Sequence, residues 1–469
     1  MNVPSWQFLT FALAGAAAFN LTRWPAWRQA VWLLLNLAFV CSFAPTLRAL
    51  LPFALFIALG YAAQALARHG PRQAGIGASI LVLAVFLWLK RYSFVPEILW
   101  LPAGYLTVGL SYVFFRVMHL VIEAGQGGTQ PISLPAYLNY TLNFPAFVSG
   151  PIQRWEDYQA SDNAPLGIRD LGIAAWRLML GAFKVLIVSA ALHAWQGQEI
   201  AGLTQVLPFP GRVLHGALIV VLYPLFLYAN FSGYTDFVIG IARLFRLRLP
   251  ENFDRPFGAP NFIEFWNRWH ITLSQWLRSH VFNPLLLGWL RRGRRVRSKQ
   301  YPGIIALFVT FFLVGAWHGQ TTEFLFFGLL QGAGVAGNRL YQVWMTRKLT
   351  PSGYEQLGAN PVYRALARGV TFTWFAFTLL WFWGTWSDVG LLASRLGVSG
   401  GALAALGTIA TASAVLAIPD MMGSRGDRAA RLIRSRYMRT AFSAAMVLVI
   451  AVGALVLNLS SPEIVYKQF

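Results

Sequence analysis

The 469-residue chain has one cysteine, Cys41, set in an apolar run, so no intrachain disulfide can form and no paired-cysteine metal motif exists. Acidic side chains are also scarce: 17 Asp and Glu stand against 38 Lys and Arg, and charged residues make up only 12% of the chain. With 57% hydrophobic residues there is too little polar surface to clothe a water-soluble protein of this length. The seven histidines are scattered and never form the H-E-x-x-H pattern that would set two imidazoles on one helical face, so no metal site is expected. No repeat of about 20 to 50 residues recurs, which excludes solenoids and propellers.

What the chain does have is apolar runs. Each membrane-spanning helix needs about 20 apolar residues, and the runs predict an all-α polytopic membrane protein with roughly 11 to 13 transmembrane or re-entrant helices, 1–469 forming one membrane-embedded domain. The net charge of +21 does not imply nucleic acid, because the basic residues sit in short blocks between apolar runs. Read by the positive-inside rule, Arg291–Lys299 and Arg425–Arg439 mark the cytoplasmic side, and the second block is expected to lie as a basic amphipathic helix on membrane lipids. The first run, about Trp6 to Leu21, has no basic residue before it, which predicts an uncleaved, outward N-terminus. A last span from Ala441 to Leu459 is expected to take Phe469 outside as well.

Several segments are too polar or too broken for plain lipid-facing helix. Arg116, His119 and Glu123 share one helical face, read as an internally paired polar stripe or as the lining of a substrate path. In Thr141–Tyr158, Pro145 and Gly150-Pro151 interrupt a helix, which is tolerated at membrane depth only where backbone is buried in protein or lines a cavity. In Tyr228–Phe237, Asn230, Ser232, Thr235 and Asp236 are expected to hold a helix break together. The least ordinary stretch is Asn261–Leu285, NFIEFWNRWHITLSQWLRSHVFNPL. As one helix at about 100° per residue it would set Trp266, Asn267, His270 and Ser274 on one face. An interfacial Trp/Arg helix would look similar in isolation. A second segment, FFLVGAWHG, ends another apolar run on His318, about 24 Å along a helix opened by Tyr301-Pro302, with Gly315 and Gly319 leaving room for a ligand or another backbone.

The motifs NFPAFVSGPIQRWEDY, FSGYTDFVIGIARLF, NFDRPFGAPNFIEFWNRWHITLSQWLRSHVFNPL and GAWHG resemble, in this order, the bacterial branch of the membrane-bound O-acyltransferase (MBOAT) family. The likeness covers about Val108 to Gln331. It departs from the family's alginate-type pattern at Asn230, at Ser279 and His280, and in the PLLLGW run from Pro284. The resemblance implies an MBOAT-like bundle in the inner membrane, with a central funnel meeting a tunnel, His318 as catalytic histidine and His270 as the second motif position. It also implies a thioester acyl donor such as acetyl-CoA or an acyl carrier protein rather than a tightly bound cofactor, and a polysaccharide acceptor. An extracytoplasmic acyltransferase or esterase-like partner would fit that chemistry.

Acyl transfer to a hydroxyl needs a base near the hydroxyl and a donor to the developing oxyanion. His318 is the expected base, His270 an orienting or polarising group, and Trp266, Asn267, Ser274, Trp317 and Gly319 the expected substrate contacts. With no Ser-His-Asp order, direct transfer is favoured over an acyl-enzyme. Polysaccharide O-acetylation is the favoured reading. D-alanyl transfer from a carrier protein is one alternative, and a transporter of a lipid-linked sugar or small polar solute, with the histidines as binding or proton-relay groups, is another.

Overall fold

The computed structural model describes residues 3–44, 46–92, 94–101, 104–127, 130–160, 166–203, 205, 207–292, 300–433 and 436–456. Among the described residues the repeating structure is helical throughout, and one isolated β-bridge joins Phe253 to Trp269. Among the described residues seven helical stretches are long and apolar enough to cross a membrane: Leu47–His69, Arg72–Leu89, Ile168–Gly202, Phe209–Leu244, Tyr301–His318, Pro361–Trp383 and Trp386–Met421. Shorter helices such as Trp6–Asn20, Pro25–Cys41 and Leu110–Gly125 stand beside them, the short kind that the larger expected number included. The chain is thus an all-α, multi-pass integral membrane protein. Of the expected topology markers, Arg291–Lys299 lies outside the described residues beyond Arg292, as do Phe469 and the end of the last span. Most side chains of the Arg425–Arg439 block are likewise outside them.

The chain forms two compact units. Among the described residues, the first comprises those up to Val185 together with Phe231–Glu251, and the second Leu186–Asn230 and those from Asn252 to Val456. In the first unit the Leu110–Gly125 helix is buried on nearly every side. Arg116, 1% exposed, donates from Nη1 to the Thr141 carbonyl at 2.8 Å and from Nη2 to the Ala146 carbonyl at 2.5 Å. Those carbonyls belong to the stretch where Pro145 interrupts the helix, so the guanidinium satisfies backbone groups that lipid could not. His119 Nε2 accepts the Trp155 N–H at 3.1 Å. Arg116 and His119 therefore serve the internally paired reading.

The expected break in Tyr228–Phe237 does not form: Phe209–Leu244 is a single helix. The irregularity is instead in the preceding long stretch, where Lys184–Ser189 makes a π-helical turn. Asp236, 5% exposed, accepts from Lys184 Nζ at 2.6 Å and from the Arg177 guanidinium, which also donates to Glu251. Asp236, and Asn230 by donating to Ser189 Oγ at 3.3 Å, thus hold the neighbouring helical stretch rather than a break of their own, while the buried Ser232 and Thr235 hydroxyls have no hydrogen-bond partner among the described residues. π-turns of this kind are uncommon and re-aim side chains.

In the second unit Gln300–His318 packs on Thr322–Ala359 at backbone contact. A Cβ on Gly315 would lie 2.3 Å from the Gly328 Cα, and one on Gly328 would lie 2.4 Å from the Phe312 carbonyl oxygen. Small residues at such a crossing replace the hydrophobic effect, absent within lipid, by close van der Waals contact. Gly315→Val is therefore expected to force the helices apart and destabilise the protein by about 1 to 3 kcal/mol. The check is thermal unfolding of the purified protein in detergent, and an unchanged midpoint would refute the contact.

Candidate active site

Asn261–Leu285 does not run as one helix. It forms two short ones, Phe262–Arg268 and Ile271–Leu277, joined where Trp269 is extended (φ −104°, ψ 129°) and His270 left-handed (φ 45°, ψ 54°). The preceding loop makes the break. Asp254 N–H donates to the Arg268 carbonyl and Ile271 N–H to the Asn252 carbonyl, each at 3.0 Å. The fully buried Asn252 then caps the second helix from outside it, its Oδ1 accepting Thr272 N–H at 3.1 Å and Thr272 Oγ1–H at 2.7 Å. Trp269 locks the turn by packing on Phe253, Phe265 and Phe375 at ring distances of 5.1, 5.6 and 5.0 Å. The single polar stripe expected from helical spacing is therefore absent, because the turn at His270 resets the angular register.

His318, 2% exposed, is the last residue of Gln300–His318. Its ring lies 4.5 Å from Trp317, 5.0 Å from Phe382 and 6.0 Å from Phe327. The ring of His270, 1% exposed, lies 6.2 Å from the same Trp317. One indole thus touches both imidazoles, and residues 48 positions apart (318 − 270) share one buried aromatic pocket. The room that Gly319 leaves is occupied: a Cβ there would fall 2.0 Å from the Phe324 ring, which packs on Phe382 at 5.6 Å.

The other expected contacts gather elsewhere. Trp266, Asn267 and Ser274 line a cavity of about 170 Å³ together with Arg278, Thr310 and Phe311. Trp266 Nε1–H donates to Gln331 Oε1 at 3.2 Å, Gln331 Nε2–H to Thr378 Oγ1 at 2.7 Å, and Thr378 to the Phe375 carbonyl at 2.7 Å. Asn267 is exposed, accepts from Arg278 Nη2 at 3.0 Å and donates to Glu264 at 3.2 Å. The buried Ser274 Oγ has no hydrogen-bond partner among the described residues.

The sequence reading missed Asn252, Gln331 and Thr378. Gln331 had a signal, a lone amide in an apolar run, the kind of residue that bonds across membrane helices. Asn252 had only its place in a loop. Asn252→Ala should cost about 1 kcal/mol of stability, as loss of a helix cap does, and should lower turnover by loosening the His270 turn. Unfolding and activity of the purified variant would check both, and an unaltered midpoint would show that the cap is dispensable.

A family model for MBOAT, the membrane-bound O-acyltransferase family, matches residues 78–382, more than half of the chain and all of the site. The chain belongs to this family. The motif likeness therefore holds, and the match extends beyond Val108–Gln331 at both ends. Among relatives of this MBOAT chain, a teichoic acid D-alanyltransferase of Streptococcus thermophilus is 29% identical over 300 residues, 60% of this chain and 69% of the relative. A probable alginate O-acetylase AlgI of Pseudomonas fluorescens is 28% identical over 276 residues, 57% of this chain and 52% of the relative. A peptidoglycan O-acetyltransferase of Helicobacter pylori is 30% identical over 221 residues, covering 45% and 39% respectively.

Proposed function

We propose that this MBOAT protein transfers an acyl group, acetyl in the favoured reading, from a thioester donor to a hydroxyl of an extracytoplasmic polysaccharide. It does so from the bacterial inner membrane, directly or through an extracytoplasmic acyltransferase or esterase-like partner. Acetyl-CoA or an acyl carrier protein would supply the thioester. The observation that carries the reading is the meeting of His270 and His318 on Trp317 in a buried aromatic pocket. An alcohol is a weak nucleophile until a base takes its proton, and an imidazole beside it is suited to that task. In this scheme His318 accepts the hydroxyl proton as the oxygen attacks the thioester carbonyl, and the thiol departs with that proton. His270 steadies or polarises the acyl group. Trp317, in contact with both rings, is better placed as the oxyanion donor than Asn267, which is exposed and engaged with Arg278 and Glu264.

D-alanyl transfer is the second reading, favoured by the two teichoic acid D-alanyltransferases, of which the chain covers 69% and 67%. Membranes containing the protein, supplied with labelled acetyl-CoA or with D-alanyl carrier protein, discriminate the two. Label in the polymer from acetyl-CoA is expected. Label only from the D-alanyl carrier would move the assignment to the second reading, and transfer from neither donor would remove both.

A further inference from the structure

A groove of about 750 Å³ runs along the second unit between the Phe209–Leu244 helix and the Trp386–Ile433 helix. Its walls repeat at helical spacing, Leu214, Leu218, Val221 and Leu225 on one side and Leu403, Gly407, Thr411 and Val415 on the other. Leu214, Leu403 and Val415 are 59, 50 and 55% exposed, so the groove opens sideways from helices that are apolar and long enough to cross a membrane. From Phe209 to Leu225 it follows about 24 Å of helix, most of a hydrocarbon core of about 30 Å. At the Phe209 end stands Arg212, its guanidinium 5.8 Å from the Phe209 ring. Arg212 donates from Nη1 to the Arg395 carbonyl at 3.1 Å, and its buried Nε has no hydrogen-bond partner among the described residues. The two arginines near the other end, Arg364 and Arg368, are by contrast paired with Asp420 at 3.0 and 2.8 Å.

We propose that this groove holds a resident phospholipid of the surrounding bilayer, one acyl chain lying along the Phe209–Leu225 face and the phosphate on Arg212. Three features point to that occupant. The groove is apolar along its length and has near one end a cation, Arg212, with no ion pair among the described residues, which complements a phospholipid and not a neutral lipid. It opens toward the side that membrane-spanning helices present to lipid. Its inner wall includes Phe257, which packs on Trp269 at 6.1 Å, so the occupant lies one aromatic layer from the His270 turn.

The test is native mass spectrometry of the full chain released from mild detergent, with phosphatidylglycerol added back as the probe. Gly407→Trp places an indole at the groove wall, where a Cβ at Gly407 has nothing within 4 Å. Gly407→Leu serves if the larger side chain impairs folding. The wild type is expected to retain phospholipid and the Gly407 variants to lose it. Arg212→Gln should retain it about fivefold more weakly, the effect of one basic group near a lipid phosphate. Retention by a folded Gly407 variant equal to wild type would overturn the proposal. So would retention unaltered by Arg212→Gln, or a wild-type groove holding only detergent or a polyisoprenoid.

Discussion

His318→Ala is expected to reach the membrane folded and to lose about 10² to 10⁴-fold of its acyl-transfer rate, the range that positioned general-base catalysis contributes. The side chain sits at a helix end among Trp317, Phe327 and Phe382, and its removal leaves an apolar gap rather than a buried unpaired charge. His270 should respond in a graded way, because it has two duties. Its backbone is left-handed at φ 45°, a conformation that asparagine tolerates better than alanine. His270→Asn should therefore be the mildest change, His270→Ala more severe, and His318→Ala the most severe. His270→Gly separates the duties, since it accepts the left-handed backbone while lacking any ring: it should fold as well as His270→Asn yet transfer more slowly. The measurement is transfer to the native polymer, normalised to folded protein. Near-normal transfer by a well-folded His318→Ala variant would withdraw the base assignment and leave a path-shaping role, as in a transporter.

The global fold was legible because lipid imposes one requirement on every span, apolar length with internally bonded backbone, and that requirement is written in composition. The pairing of the two Trp-His segments was legible for a different reason. Motif likeness placed His270 and His318 together where hydropathy could not, and both rings do meet Trp317. What helical periodicity could not supply was the break at Trp269 and His270. That break depends on hydrogen bonds accepted by Asn252 and donated by the Asp254 N–H, more than ten residues upstream, and a face derived from 100° per residue has no knowledge of them. The same applies to Asp236. Its polarity in an apolar helix was visible, but its two cationic partners lie 52 and 59 residues away on another helix, so the sequence showed a helix in need of partners and not where they were.

Those partners make Asp236 the position where a single change should cost the most stability. Its side chain is 7% exposed, while Lys184 and Arg177 are each 25% exposed, so the carboxylate is the buried centre of the network. Asp236→Asn keeps the shape and removes the charge. Arg177 still has Glu251, but Lys184 would face a neutral amide from a partly buried position. Breaking a buried pair by removing one partner costs about 3 to 5 kcal/mol, and the partial exposure of the cations puts this case at about 3 kcal/mol. The accompanying Lys184→Met change decides whether the Lys184 charge is the cause. The double variant should recover most of the loss, because a neutral amide beside an apolar side chain leaves no buried charge without its counterion. Thermal unfolding of the four proteins in one detergent closes the cycle. An Asp236→Asn midpoint equal to wild type would show that the network contributes nothing to stability, and failure of Lys184→Met to restore it would place the cost in the π-helical turn rather than in the charge.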